Sequence, residues 1–330
     1  MKRRFLKQLA AVLACLLLAG GANLARILVA DGVEGQRAAE VWQTEEGRCA
    51  QVSFFLPASR RLTADEVMGV RQELEDALAG QTELNWTDAY SCVTSLSVTS
   101  EHATAQARAI AVGGDFFRFH ELDMMSGSCF DEGEANRDGV VLDMNLAWRL
   151  FGGYELEGMY LRIGSTPVEI CGVARSPEKG VMGDAYGEEP TIWLSSSLLK
   201  RMGGSTVLQS YEAVLANPVS GFALDNVEKA LSPGDEAEAV ENTGRFGFVT
   251  CLKNAWSLFT QSAKVSPVAL PYWELAARTA ETRCAMLALV TALLLLYPLI
   301  WVLVQIIRII IRLRRRFRSW KYRRKHFHHA

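Results

Sequence analysis

His120, Glu121 and Asp123 place an imidazole and two carboxylates within one short stretch, and these are donor types that hold divalent metals. Adjacent residues of an extended chain face opposite ways and cannot share one ion. No Cys-x-x-Cys pair supplies further ligands, and His326, His328 and His329 sit apart in the basic tail, so His120 reads as a structural side chain in a turn. Ser126-Gly127-Ser128-Cys129 offers hydroxyls and a thiol. No Gly-x-Ser-x-Gly elbow frames them and no base is spaced to activate them. Asp131, Glu132 and Glu134 form an acidic loop without the ligand spacing of an EF-hand, which makes it a solvated surface. A Gly-x-x-x-x-Gly-Lys-Ser/Thr phosphate loop is also absent from the sequence. The expectation is a non-enzymatic protein with no catalytic residue, no metal and no cofactor.

Five cysteines, Cys49, Cys92, Cys129, Cys171 and Cys251, lie between the two apolar ends of the chain. An odd number cannot pair completely within one chain. Cys49 and Cys92 are the pair placed on early strands that would bridge. The other reading makes all five buried thiols that act as small apolar side chains.

Charge shows what must position these residues. The 330-residue chain has a formal net charge of −2, yet residues 1–30 hold five basic residues and no acid, and residues 284–330 hold ten and no acid. The remaining 20 basic and all 37 acidic residues lie in residues 31–283, giving that segment −17 against +15 at the ends. Such blocks describe an interaction tail or a membrane topology rather than a mixed surface, and an acidic middle would repel nucleic acid. Cys284 to Ile307 is uncharged over 24 residues. At ~1.5 Å per residue it covers about 36 Å, enough to cross a hydrocarbon core of about 30 Å. Pro298 inside it is a tolerated kink. Arg308, Arg312, Arg314, Arg315, Arg316 and Arg318 open the basic tail, which the positive-inside rule places in the cytoplasm. Tyr272 and Trp273 ahead of the span are expected at its outer interface. The tail has two uses, as an anchor on anionic lipid or as a docking segment for a partner, with Arg312, Arg314, Arg315, Arg316 and Arg318 as the contact residues.

The N-terminus repeats the arrangement. Residues 1–8 are basic, and 9–30 are apolar except for Asn23 and Arg26. They read as an uncleaved signal anchor or a cleavable signal peptide ending near Gly20-Gly21-Ala22. Both place residues 31–283 outside the cytoplasm.

Within that segment short strands alternate with short helices. Cys49 to Leu56 is an expected strand. Thr63-Ala64-Asp65-Glu66 reads as a capping box for a helix carrying Val67, Val70, Leu74 and Leu78. Cys92 to Ser100 and Thr104 to Val112 form a hairpin. Val140 to Leu142 is a strand, Asp143 caps the helix Met144 to Phe151, and Gly152-Gly153 ends it. Met159 to Ile163 and Val168 to Val173 make a second hairpin. Thr191 to Met202 is a strand and helix, Tyr211 to Leu215 a strand and Phe222 to Leu231 a helix. Gly247 to Cys251 is expected to return to the sheet. The class is α+β.

Four patterns then occur in order: Val-x-Gly-x-Phe-Phe at Val112 to Phe117, including Gly114, Phe116 and Phe117 beside Gly113; and a Gly-x-x-Phe step at Gly127 and Phe130 after Met125. A strand and helix follow with Val141, Leu146, Ala147, Leu150, Phe151 and Gly152, and then a hairpin from Gly158 to Gly172 and Val173. This series resembles the MacB-like periplasmic core domain of ABC-transporter permeases of the MacB/FtsX type. The resemblance implies a two-lobed extracytoplasmic domain over residues 31–283, flanked by the two transmembrane helices. A porter-like lobe would comprise about 31–112 and 205–260, with an inserted lobe at about 113–204. It implies spans at 9–30 and 284–307, a basic cytoplasmic tail at 308–330, and an ABC ATPase or another permease subunit as partner. The lipid bilayer and an envelope protein or peptide substrate complete the expected contacts. Family permeases follow this domain with three further helices, and the single span after it here reads as the first half of such a permease. The rival reading is a stand-alone sensor or binding module.

Overall fold

The computed structural model describes residues 2–36, 38–39, 48–79, 86–131, 138–260 and 268–326. It separates into two compact units, one of residues 29–247 and 261–281, the other of residues 1–28, 248–260 and 282–330.

Helix α1 (Lys2–Asp31) is followed by strand β1 (Cys49–Phe55), helix α2 (Val67–Leu78) and the long strands β2 (Thr87–Thr99) and β3 (Thr104–Gly114). Next come α3 (Phe116–Phe119), β4 (Met124–Gly127), β5 (Val140–Asp143), α4 (Met144–Phe151), β6 (Tyr160–Ile163) and β7 (Thr166–Ala174). Then α5 (Gly180–Tyr186), β8 (Thr191–Ser195), α6 (Ser196–Arg201), β9 (Ser210–Ala216), α7 (Phe222–Leu231) and β10 (Glu238–Glu241) precede α8 (Phe248–Thr260) and α9 (Tyr272–His326). The strands form one mixed sheet in the order β10-β1-β9-β2-β3-β8-β5-β7-β4, with β6 joined to β2 and β7. The pairs β3 with β8 and β5 with β7 are parallel. Segments before Gly114 and after Ser210 supply one half of the sheet, and residues 124–195 supply the other.

Period-two alternation sorts the side chains onto two faces. On the first face Ala50, Val52, Phe54, Tyr211 and Leu215 pack with Leu74 of α2 and Val227 of α7. Farther along the same face Ala109, Val140, Leu142, Ile192 and Leu194 pack with Leu146 and Leu150 of α4 and Leu198 of α6. The opposite face carries Ile110, Val141, Trp193 and Val214, covered by Phe116 and Phe119 of α3, Tyr186 of α5, and Tyr272 and Trp273 from the first turn of α9. Arg71 of α2 reaches the sheet to form a two-pronged pair with buried Asp88, at 2.9 and 2.7 Å.

The local signals at α4 appear as expected. Asp143 accepts the Leu146 N–H at 2.7 Å, and Gly152 closes the helix in the left-handed region at φ 71°. Helix α2 corrects the capping box. It starts at Val67, and the Glu66 carboxylate accepts both the backbone N–H and the hydroxyl of Thr63, at 2.8 and 2.9 Å. The Thr63 hydroxyl therefore donates to Glu66 rather than accepting from the helix.

A second correction concerns Gly247 to Cys251. This segment does not return to the sheet but opens α8, and the strand closing that edge is β10, paired with β1. Five apolar-rich residues cannot distinguish the two periods. Buried Cys251 and Ala255, four apart, show the helical one.

In the other unit, α1 and α9 run antiparallel. The Cys284 thiol stands 3.5 Å from the Arg26 carbonyl, and the rings of Phe5 and Trp301 are 5.8 Å apart. Ala19, Cys284, Ala285 and Ala288 are buried, small side chains of the kind that let two apolar helices approach closely. Both helices are long and apolar enough to cross a membrane. The uncharged run 284–307 lies inside α9, which continues as helix through the basic tail to His326.

Candidate functional site

A polar seam is buried on the second face of the sheet. The strand β9 reads Ser-Tyr-Glu-Ala-Val-Leu-Ala, and its alternation turns Glu212 inward, 1% exposed. On neighbouring β1, Gln51 and Ser53 face the same way and are also buried. A buried carboxylate is tolerated only when donors surround it. Glu212 accepts the Ser53 hydroxyl at 2.9 Å and the His120 Nε2–H at 2.5 Å. The Asn242 amide donates to the Ser53 oxygen at 2.8 Å, and its own carbonyl oxygen accepts Arg245 Nη1 at 3.3 Å.

Arg245 carries the seam into α9. Its two terminal nitrogens donate to the two oxygens of Glu274 at 2.9 and 3.0 Å, and its Nε donates to Glu281 at 3.0 Å. Arg278 donates to Glu274 at 2.8 Å and also pairs with Glu238 of β10. Glu274, Arg278 and Glu281 follow at intervals of four and three, so they line one face of the helix. Glu274 is fully buried and Arg245 nearly so. Burial alone would pull the Arg245 guanidinium down, but the hydrogen bonds and charge of Glu274 and Glu281 outweigh it and hold it above its ordinary value. The fork geometry matches a carboxylate, which a lysine could not do.

The segment after α1 is held beside the same strand. The Gln51 side chain donates to the Gly35 carbonyl at 2.7 Å and accepts the Ala38 N–H at 2.9 Å. Two adjacent inward positions of β1, Gln51 and Ser53, therefore serve the segment leaving α1 and the chain that meets α9. Aromatic packing adds to the hold. The His120 ring lies 4.5 Å from that of Trp273 and 4.7 Å from Phe116, while Tyr272 meets Tyr186 edge-on at 4.9 Å. The guanidinium of Arg108 stacks over Tyr186 and Tyr272 at 4.7 and 5.4 Å.

Beside this packing is a cavity of about 370 Å³, walled by Tyr186, Trp193 and Tyr272 and edged by the Arg175–Asp123 ion pair at 3.0 Å. Buried Asp143 stands behind it, accepting the hydroxyls of Tyr186 and Ser176 at 3.0 and 3.3 Å. Burial raises the Asp143 carboxyl above the usual range, against the opposing pull of those donors.

The motif residues occupy different places. Leu146, Ala147, Leu150, Phe151 and Val173 belong to the packing under α4. Phe116, Phe117, Phe130 and Val141 lie on the other face, with Phe117 and Phe130 edge-on at 5.0 Å. Gly113 and Gly114 end β3, Gly127 ends β4, Gly158 precedes β6 and Gly172 lies in β7. Phe116 is the motif side chain that touches the seam, through His120 and Trp273.

Tyr272 and Trp273 correct the interface expectation, since both are buried in the domain, at 8% and 2% exposed. His120 follows a short helix and is buried, a structural side chain whose partner Glu212 lies 92 positions away. Cys49 and Cys92 do not bridge. They belong to packing on opposite faces of the sheet, and Cys49 pairs with Ala216 at one end of β9 while Ser91 pairs with Ser210 at the other. Burial pushes the Cys92 thiol up to about 12 and Cys129 up to about 11, so both stay protonated at neutral pH. Asp131 is exposed; Glu132 and Glu134 lie outside the described residues. Arg312, Arg314, Arg315 and Arg316 are exposed on α9, and the side chain of Arg318 lies outside the described residues.

A macrolide export ATP-binding/permease protein, MacB, from Chromobacterium violaceum is 30% identical over 148 residues, 41% of this chain. The chain covers 22% of that relative's length. The crystal structure of the periplasmic region of MacB from Actinobacillus actinomycetemcomitans is similar at 13% identity and a TM-score of 0.46, covering 64% of this chain and 94% of that one. The extracellular domain of the noncanonic ABC-type transporter YknZ from Gram-positive bacteria is similar at 12% identity and a TM-score of 0.41, covering 58% and 99%. Residues 10–242 match the model of the MacB-like periplasmic core domain, and the chain belongs to that family.

Proposed function

We propose that the protein is a non-enzymatic, permease-like or accessory subunit of an ABC-type export or mechanotransmission complex, acting through its extracytoplasmic domain. The observation that carries this reading is the seam from Glu212 through Arg245 to Glu274 and Glu281. A helix joined to a sheet by packed aromatics and a buried, two-pronged ion pair transmits displacement rather than swivelling, because loosening it leaves charges without partners. Movement of α9, driven by a partner ATPase, would then move the sheet and act on an envelope protein or peptide. In this arrangement α1 and α9 cross the bilayer with both termini in the cytoplasm, and residues 31–283 lie outside as a porter-like lobe and an inserted lobe. The exposed Arg312, Arg314, Arg315 and Arg316 then face anionic lipid or the partner subunit. Purification of the tagged full chain in mild detergent is expected to recover an ABC ATPase or a second permease subunit. An intact chain that repeatedly brings down neither overturns the complex.

The cavity favours a second reading, a membrane-anchored binding module. It is of small-molecule size and one wall is Tyr272 of α9. Under this reading an envelope ligand raises the melting temperature of the full chain, Tyr186→Ala abolishes the shift, and ATPase depletion leaves the phenotype unchanged.

A further inference from the structure

We propose that α8 is a membrane-interfacial helix whose outer face rests in the headgroup region of the outer leaflet. The inference rests on the reading that α1 and α9 span the bilayer. Helix α8 belongs to the same compact unit as their apolar lengths. Its inward side carries buried Cys251 and Ala255, while Val249, Lys253 and Trp256, spaced by four and three, share the outward side. Val249 is 64% exposed and Trp256 75%. A large aliphatic and an indole flanking an ammonium suit the boundary between acyl chains and phosphates, where tryptophan concentrates and lysine reaches outward.

Contacts within this unit give the level. The Phe248 ring at the start of α8 lies 6.0 Å from the guanidinium of Arg26, and the Arg26 carbonyl lies 3.5 Å from the thiol of Cys284. Cys284 is the first residue of the uncharged run. Phe248 therefore begins α8 where the apolar span begins, and a helix starting there meets lipid headgroups with its outward face. The role is to seat the outer end of the α1 and α9 pair at a fixed depth.

The test uses the full chain in phosphatidylcholine and phosphatidylglycerol vesicles, with bromine placed near the headgroup end or near the methyl end of the acyl chains. Subtracting the emission of Trp256→Phe from that of the parent isolates Trp256, and Trp301→Phe does the same for a residue inside the span. The expected result is that Trp256 loses most of its emission to the shallow bromines and little to the deep ones, while Trp301 is quenched from within the hydrocarbon. Moving the reporter along the same face, as Val249→Trp in Trp256→Phe, should reproduce the shallow quenching. If Trp301 is quenched but Trp256 and the Val249→Trp reporter respond only to aqueous iodide, the face is solvated and the inference fails. If they respond to neither iodide nor bromine, a protein surface or second copy covers the face, and it fails equally. Quenching of neither Trp256 nor Trp301 by bromine removes the membrane reading together with the inference.

Discussion

The packing under α4 and the seam beneath α9 hold the same sheet by opposite means. Under α4, Leu146, Ala147 and Leu150 meet Val140, Leu142, Ile192 and Leu194 without a charge among them. Such contacts are individually weak and non-directional, so the layer tolerates small shifts. Beneath α9, Glu274 and Arg245 are both buried and fix each other through two hydrogen bonds. That arrangement is directional and fails steeply once one partner goes. An apolar layer supplies stability, while a buried ion pair mainly specifies where one element must sit relative to another.

The largest expected effect tests the seam. Glu274→Ala strands Arg245 and should lower the unfolding free energy of the full chain in detergent by about 3–5 kcal/mol. The double substitution Arg245→Met with Glu274→Leu, which removes both charges, should restore most of that loss. A double variant as unstable as the single one would show that the seam is held by something other than charge pairing. In the apolar layer, Leu146→Ala should cost about 3 kcal/mol through lost transfer energy and the cavity left behind, with no partner change able to recover it. Denaturant titration of the three variants beside the parent separates the two modes.

The apolar layer was legible in the sequence because its determinants are local. Asp143, the helical spacing of Leu146 and Leu150, and Gly152 lie within ten residues, and each is a recognised start, face or stop signal. The seam was not legible. His120 and Glu212 are 92 positions apart and Arg245 and Glu274 are 29 apart, and no periodicity reports which polar residues of distant elements face each other. Two signals were present without a partner to interpret them: a glutamate among small and apolar residues in β9, and Glu274-Arg278-Glu281 at helical spacing ahead of an apolar run. Tyr272 and Trp273 misled for a related reason. Aromatic residues preceding a span have the same composition whether they meet lipid headgroups or a protein core. Gly247 to Cys251 is too short to show its helical period, which needs about two turns.

Two glycines of the patterned segment sharpen the contrast at intermediate scale. Gly127 and Gly152 both adopt positive φ, 65° and 71°. A side chain on Gly127 would place its Cβ 2.1 Å from the Cys171 carbonyl oxygen of the paired strand, whereas one on Gly152 meets nothing within 4 Å. Gly152→Ala should therefore cost only the conformational strain, about 1 kcal/mol. Gly127→Ala adds displacement of β4 from β7 and should exceed it clearly. Equal melting temperatures for the two variants would mean that β4 yields freely and contributes little to the sheet.

The smallest expected effect lies with Asp143, a buried carboxylate held by hydroxyl and amide donors and, among the described residues, by no cation. Burial raises its carboxyl in the folded chain above the ordinary value near 4. Between that ordinary value and the raised one, the folded chain binds more protons than the unfolded chain. Stability from this group is therefore full below the ordinary value, falls as pH rises through the window, and stays at the lower level above it, with a slope of at most about 1.4 kcal/mol per pH unit. Asn at this position keeps the cap acceptor and does not titrate, and it is among the residues favoured before a helix. The stability difference of parent minus Asp143→Asn should accordingly decline as pH rises from 3 and then level off. A difference that grows with pH over the same range would mean that the donors around Asp143 outweigh its burial, making this carboxylate a fastener like Glu274 rather than a cost borne by the apolar half.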